Sequence, residues 1–335
     1  MNEKLSTMAP TPTRPSRAAD LRRVMADYLG MLLALGALIL VFSLQAQHFF
    51  SATTFQTIAN QIPAAIIMAT GTTFVLIIAG VDLSIGSVLG FSGAVLGVCM
   101  KQYNWPLGAA ILAALGTGLA CGAFNGLVSI RWGLPSFIVT LGMLEIARGG
   151  AHLVTHSQTQ YIGSAIEGIA GTHVLGLSLP FLLATAIVIA GQLVLSRTVF
   201  GRYMIAIGTN EEAVRLSGID PRPVKLAVFL ISGVLVAVAA IIDTSRFQSA
   251  NPNAGAGFEL QAIAAAVIGG TSLMGGRGSV VRTFFGVLII AVLNNGLASV
   301  GVKDETKRLI TGVVIVAAVI LDQYRQRLGK GAGKS

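Results

Sequence analysis

Along almost the whole chain, apolar runs of membrane length alternate with short polar breaks. The runs fall at 28–44, 62–81, 85–100, 106–130, 134–151, 177–195, 226–242, 260–274, 284–300 and 309–321. A helix needs about 20 apolar residues to cross the hydrocarbon, so the pattern predicts about ten transmembrane helices. The third, eighth and tenth runs fall short of that length and fit tilted helices buried among neighbours. The longest polar interruption, 197–225, reads RTVFGRYMIAIGTNEEAVRLSGIDPRPVK. Inside it Asn210 has the side chain of an N-cap, and Glu211 and Glu212 would sit at the positive end of a helix dipole. Gly218 supplies a stop, and Pro221 and Pro223 prevent resumption. These signals bound a helix of about two turns, Asn210, Glu211, Glu212, Ala213, Val214, Arg215, Leu216 and Ser217, which is too short to be stable alone in water. It must lie against another surface, and Ala213, Val214 and Leu216 offer the apolar face. The simpler reading, a capped turn between two spans, asks for no partner.

Composition narrows the class. Charged residues make up 11% of the 335 residues and apolar ones 54%, against about 25% charged in soluble domains; mean hydropathy is +0.77. The chain is expected to be an all-α polytopic membrane protein. Its net charge of +9 does not point to nucleic acid, because the basic residues are scattered between apolar runs and form no stripe with interleaved aromatics. They set topology instead, through retention of Lys and Arg on the cytoplasmic side. With ten spans and a cytoplasmic start, Lys101, Arg246, Lys303, Lys307 and Arg308 fall outside, Arg148 lies in the membrane, and the other 17 of the 23 basic residues fall inside. Both termini and the 197–225 loop are then cytoplasmic. Residues 1–27, rich in Pro and Arg, are expected to be a disordered basic tail, 28–322 the transmembrane unit, and 323–335 a second basic tail.

Small and polar residues refine the bundle. Gly86, Gly90, Gly93 and Gly97, then Gly118, Gly122 and Gly126, recur at spacings that let helix backbones approach closely in lipid. Asp82, Asn125, Thr140, Glu145, Arg148, Gln192, Asp243, Asn294 and Asn295 lie at membrane depth and must face each other or a wet cavity. Glu145 and Arg148 are three apart on one helix and able to pair; with Asp82 they are read as structural. Catalytic and metal signals fail. The C-terminal GKGAGKS resembles a phosphate-binding loop, but the glycine needed five positions before Gly333 is Leu328, and no strand precedes it. His152 and His156 have the spacing of zinc ligands on a helix, yet no third ligand accompanies them. Cys99 and Cys121 lie in apolar runs without a pairing motif. No catalytic residue, metal or bound cofactor is expected.

Four segments, GTTFVLIIAGVDLSIGSVLG (71–90), LPSFIVTLGMLEIARG (134–149), GRYMIAIGTNEEAVRLSGI (201–219) and LQAIAAAVIGGTSLMGGRGSV (260–280), resemble the membrane permease subunits of bacterial ribose-type ABC importers. The likeness extends over roughly 44–322. It implies a homodimeric pore surrounded by lipid in the bacterial inner membrane, an ATP-binding cassette subunit on the cytoplasmic side that holds ATP and Mg, and a periplasmic sugar-binding protein on the other. Asn210 to Gly218 would then be the coupling helix seated in a groove of the ATPase. A neutral sugar needs hydrogen-bond partners and no counter-charge, so Asn125, Thr140, Asn294 and Asn295 are the expected substrate path. The charged outer loop of Asp304, Glu305, Lys307 and Arg308 departs from the family's pattern. One alternative is a branched-chain amino-acid-type ABC permease. Another is a self-sufficient secondary transporter, which would want an ionisable relay at the midplane; Asp82, Glu145 and Asp243 are too few and too near span ends to make one.

Overall fold

The computed structural model describes residues 17–174 and 176–331. Its helices are α1 (Arg17–Gln45), α2 (Ala52–Gln61), α3 (Pro63–Ile77), α4 (Ile85–Lys101), α5 (Leu107–Trp132), α6 (Ser136–Thr155), α7 (Glu167–Gly171), α8 (Leu179–Arg197), α9 (Val199–Leu216), α10 (Arg222–Phe247), α11 (Phe258–Ile268), α12 (Val280–Ser299) and α13 (Asp304–Gly331). Two-residue strands form small antiparallel pairs, β1 (Gln160–Tyr161) with β4 (Ser249–Ala250) and β2 (His173–Val174) with β3 (Leu177–Ser178).

Each of the ten apolar runs carries a helix, but length and composition mark fewer of them as spans. These are α1 from Tyr28, α5, α6, α8, α10 and α12, with α2 and α3 a seventh if that pair, bent by 48°, is one broken span. The short apolar helices are α4, with 17 residues, and α11, with 11. A helix wrapped by other helices does not have to match the bilayer thickness itself, and α4 is buried along almost its whole length against α5, α6 and α10.

The centre of the bundle is α3. All of its residues except Ala65 are buried, the mark of a helix apolar all round, and α8, α10, α11 and α12 pack on it. Its few hydroxyls are satisfied locally or across helices: Thr70 and Thr72 donate to carbonyls one turn back, and Thr73 meets Thr283 of α12 at 2.8 Å. Gln192 of α8 closes the start of α12, its Oε1 accepting from the Ser279 hydroxyl at 3.1 Å and the Val280 amide at 3.0 Å. The predicted glycine spacings mark real contacts. Gly118 and Gly122 of α5 lie directly on the backbone of Gly233 and Phe229 in α10, with no room for a Cβ.

Several boundaries differ from the sequence expectation. Helix α1 begins at Arg17, so the tail expected to be disordered over 1–27 is helical from there; Ala18, Ala19, Leu21, Arg22 and Arg23 are good helix formers attached to a helix already nucleated. Residues 1–16 lie outside the described residues. Helix α13 likewise runs through most of the expected C-terminal tail, to Gly331. The run 260–274 is helical only to Ile268, because Gly270 adopts φ 77° and its amide turns back onto the carbonyl of Val267 at 2.8 Å.

Candidate functional site

The loop 197–225 contains more helix than its signals announced. Helix α9 starts at Val199, capped by the Thr198 hydroxyl accepting from Gly201 N at 3.1 Å, and breaks at Asn210, whose backbone is extended at φ −162°, ψ 96°. The break creates the expected cap: Asn210 Oδ1 accepts the amide of Ala213 at 2.9 Å. At the other end Gly218 adopts φ 84°, its amide donating to Arg215 O at 3.0 Å and that of Ile219 to Val214 O at 3.3 Å. This pair of bonds is the left-handed helix stop that glycine makes possible. Glu211 pairs with Lys225 Nζ at 3.0 Å, Glu212 with Arg215 at 2.8 Å, and the Ser217 hydroxyl donates to Val214 O. The expected apolar face divides. Val214 is buried in the bundle, whereas Ala213 is exposed and Leu216 is 79% exposed.

The half of α9 that the sequence did not announce anchors this segment. Met204 and Ile207 are buried, and Gly208 lies on the carbonyl of Ile77, the last residue of α3. The same carbonyl accepts the amide of Gly276 at 2.9 Å. The capped segment is thus seated on the end of the central helix.

The polar residues at membrane depth gather at separate places. Asp82, Asn125 and Thr140 lock the break between α3 and α4. Ser84 donates from its amide at 2.9 Å and its hydroxyl at 2.6 Å to Asp82 Oδ1, and Asn125 Nδ2 donates to the Ser84 hydroxyl at 3.0 Å. Thr140 accepts from Leu83 N at 3.1 Å and donates to Val81 O at 3.2 Å. Glu145 and Arg148 do not form the ion pair their spacing allows. Arg148 Nη1 instead donates to the carbonyls of Pro252 at 2.7 Å and Ala254 at 3.0 Å, while Glu145 is exposed on α6. A guanidinium reaches two carbonyls that no side chain of its own helix can satisfy, and the 251–257 turn supplies them. His152 joins the same turn through Asn253 at 3.2 Å, and among the described residues no group of three His, Cys, Asp or Glu side chains gathers to hold a metal.

Asn294 lies elsewhere, on a cavity of about 200 Å3 between α3, α10, α11 and α12, which Gln61, Asp243, Arg246, Phe258 and Gln261 also line. Asn295, one residue on, is half-buried, and its carbonyl accepts from Ser299. Gln61, Arg246, Phe258 and Gln261 were not singled out by sequence. The signal they leave is faint: Gln61, Arg246 and Gln261 each stand at the end of an apolar run, and those ends fall on one side of the membrane when the runs alternate in direction.

A helical bundle with a capped helix presented at one end and a polar cavity at the other has the build of a membrane transport subunit. The chain belongs to the permease family described as branched-chain amino acid transport system / permease component, which matches residues 54–319. It is a multi-pass membrane protein and a transport subunit, not an enzyme. Among its relatives, the ribose import permease protein of Escherichia coli K12 is 38% identical over 88% of this chain and 93% of that protein. The ribose import permease protein of Haemophilus influenzae is 37% identical over 87% and 92%. The fructose import permease protein of Rhizobium meliloti is 32% identical over 84% and 80%.

Proposed function

We propose that this chain is the pore-forming subunit of an ABC importer that carries a ribose-like monosaccharide across the bacterial inner membrane. The sugar is supported by the relatives, named as ribose and fructose import permeases. The observation that carries the coupling role is the capped segment from Asn210 to Gly218, which turns Ala213 and Leu216 outward while Gly208 holds it to the end of α3. Exposed apolar side chains on a charged loop favour a protein partner, and an ATPase groove that moves would carry the end of the central helix with it. In this reading two copies form the pore, all ten apolar runs cross the membrane with both termini cytoplasmic, a sugar-binding protein docks on the opposite face, and ATP and Mg stay on the ATPase. Asn294 belongs to the sugar path. Asn125 and Thr140 serve it indirectly, by holding the break between α3 and α4. A branched-chain amino acid is the second reading, favoured by the description of the family.

The test is reconstitution. With the ATPase and binding protein in proteoliposomes, labelled D-ribose should enter only when ATP is supplied. Uptake driven by an ion gradient without ATP would overturn the proposal, and uptake of leucine in place of sugar would select the second reading. Reporter fusions at the C-terminus and after Arg215 should both give a cytoplasmic signal; a periplasmic one refutes the ten-span topology.

A further inference from the structure

Asp243 of α10 is only 9% exposed, yet among the described residues no donor reaches its carboxylate. A carboxylate with no protein donor needs a hydrogen-bond partner from the space it faces. It borders two cavities. One, of about 200 Å3, is the space shared with Asn294; the other, of about 290 Å3, lies towards Leu89, Thr244 and Asn251. Phe258, the first residue of α11, borders both as well.

The other polar groups on the first cavity are equally unspent. The side-chain amides of Gln61 and Gln261 stand at its mouth without a protein partner among the described residues. Asn294 Oδ1 accepts from Thr311 at 3.2 Å, which leaves its NH2 free for the cavity. Among the described residues Arg246 reaches only the Gln61 carbonyl, at 3.5 Å, and lies over the Phe247 ring at 4.7 Å. Three amides, one carboxylate and one guanidinium therefore converge on a space bounded by an aromatic ring. Planar groups that donate and accept in pairs match vicinal hydroxyls, and an apolar ring face matches the C–H face of a sugar. A monosaccharide binding site of this kind differs from a site for a lipid tail, which would present no donors.

We propose that each copy of the chain holds its own monosaccharide site in this cavity, with the Asp243 carboxylate and the Gln61, Gln261 and Asn294 amides binding hydroxyls and Phe258 lying against the ring. The inference rests on the sugar reading above and adds that the permease itself selects the sugar after the binding protein releases it. The opposite charges of Asp243 and Arg246 cancel, so the site as a whole suits a neutral ligand.

The test uses the complete importer in proteoliposomes, with labelled D-ribose and D-xylose as probes. Asp243→Asn keeps the side-chain shape and Gln261→Leu changes an exposed position, so the bundle should fold with either. Each should lower sugar uptake about tenfold or more, through loss of the charge-assisted bond at Asp243 or of the amide contact at Gln261 to a bound hydroxyl, and shift the ratio of ribose to xylose uptake. ATP hydrolysis provoked by the loaded binding protein should stay within about twofold, since the site lies away from the coupling segment. In a variant with cysteine only at Ala65, on the same cavity, D-ribose should slow labelling by a water-soluble thiol reagent and leucine should not; adding Asp243→Asn should abolish that protection. If the parent importer takes up sugar but both variants do so at the parent rate, or ribose gives no protection, the site is refuted. Parallel loss of uptake and ATP hydrolysis in both variants also refutes it, because the residues would then serve assembly. Protection by leucine refutes the sugar. A parent importer that moves no sugar refutes the functional reading instead.

Discussion

Gly208 of α9 lies on the carbonyl oxygen of Ile77, the last residue of α3, so closely that a Cβ at position 208 would occupy the same space. The Gly276 amide donates to that oxygen at 2.9 Å from the opposite turn. Three segments thus meet at one carbonyl: the helix leading into the capped segment, the end of the central helix, and the turn between α11 and α12. The capped segment Asn210 to Gly218 follows two residues after this contact, across the break in α9 at Asn210.

Replacing Gly208 by Ala should therefore separate α9 from α3. The overpacking should cost about 1–3 kcal/mol, read as a lower melting temperature of the purified protein. Sugar moved per ATP hydrolysed should fall more steeply than ATP hydrolysis. An unchanged ratio at unchanged stability would show that the contact transmits nothing.

Ala213 and Leu216 project from the capped segment into solvent. Ala213→Arg would place an unpaired charge in the proposed ATPase groove, at a cost of about 3–5 kcal/mol to the complex. The variant should insert normally but no longer co-purify with the ATPase. Lys101→Gln, at the far end of α4, should change neither. Full co-purification with Ala213→Arg would reduce the segment to a connector.

Arg148 satisfies the carbonyls of Pro252 and Ala254. Arg148→Leu should leave both without their charged donor and destabilise the protein by about 2–4 kcal/mol, whereas Glu145→Gln, on the exposed face of α6, should stay within about 0.5 kcal/mol. Thermal unfolding in detergent distinguishes them. Equal losses would mean that the two residues act as a pair after all.

Two glycines of α5 should behave oppositely. Gly118 lies on the backbone of Gly233, so Gly118→Val should cost about 3 kcal/mol or more. A Cβ at Gly116 would meet nothing, so Gly116→Ala should be neutral or gain about 0.5–1 kcal/mol from helix propensity. Expression and melting of the two variants provide the check.

The cap at Asn210, the stop at Gly218 and the ten helical runs were legible because each depends on residues within one or two turns of each other. The local rules failed where a helix had a long-range reason to extend or stop. Residues 199–209 are polar enough to read as loop, and they are helical because Met204 and Ile207 are buried in the core and Gly208 meets the end of α3. The pairing of Glu145 with Arg148 was a reasonable local inference that lost to a better acceptor more than 100 residues away.

By itself the sequence determined that the chain is a membrane-embedded helical bundle, where the apolar core of each helix lies, and where a capped polar segment interrupts them. Hydropathy, capping and glycine stops act through neighbouring residues, so their effect is written in order along the chain. Which polar side chains share a space was decided only by the tertiary structure. Gln61, Asp243, Gln261 and Asn294 come from four helices, and their convergence depends on how far each helix is shifted and rotated against α3. Close contacts between backbones, such as Gly71 of α3 on Ser232 of α10 and Gly286 of α12 on Ala265 of α11, set that register, and no spacing within a single run encodes it.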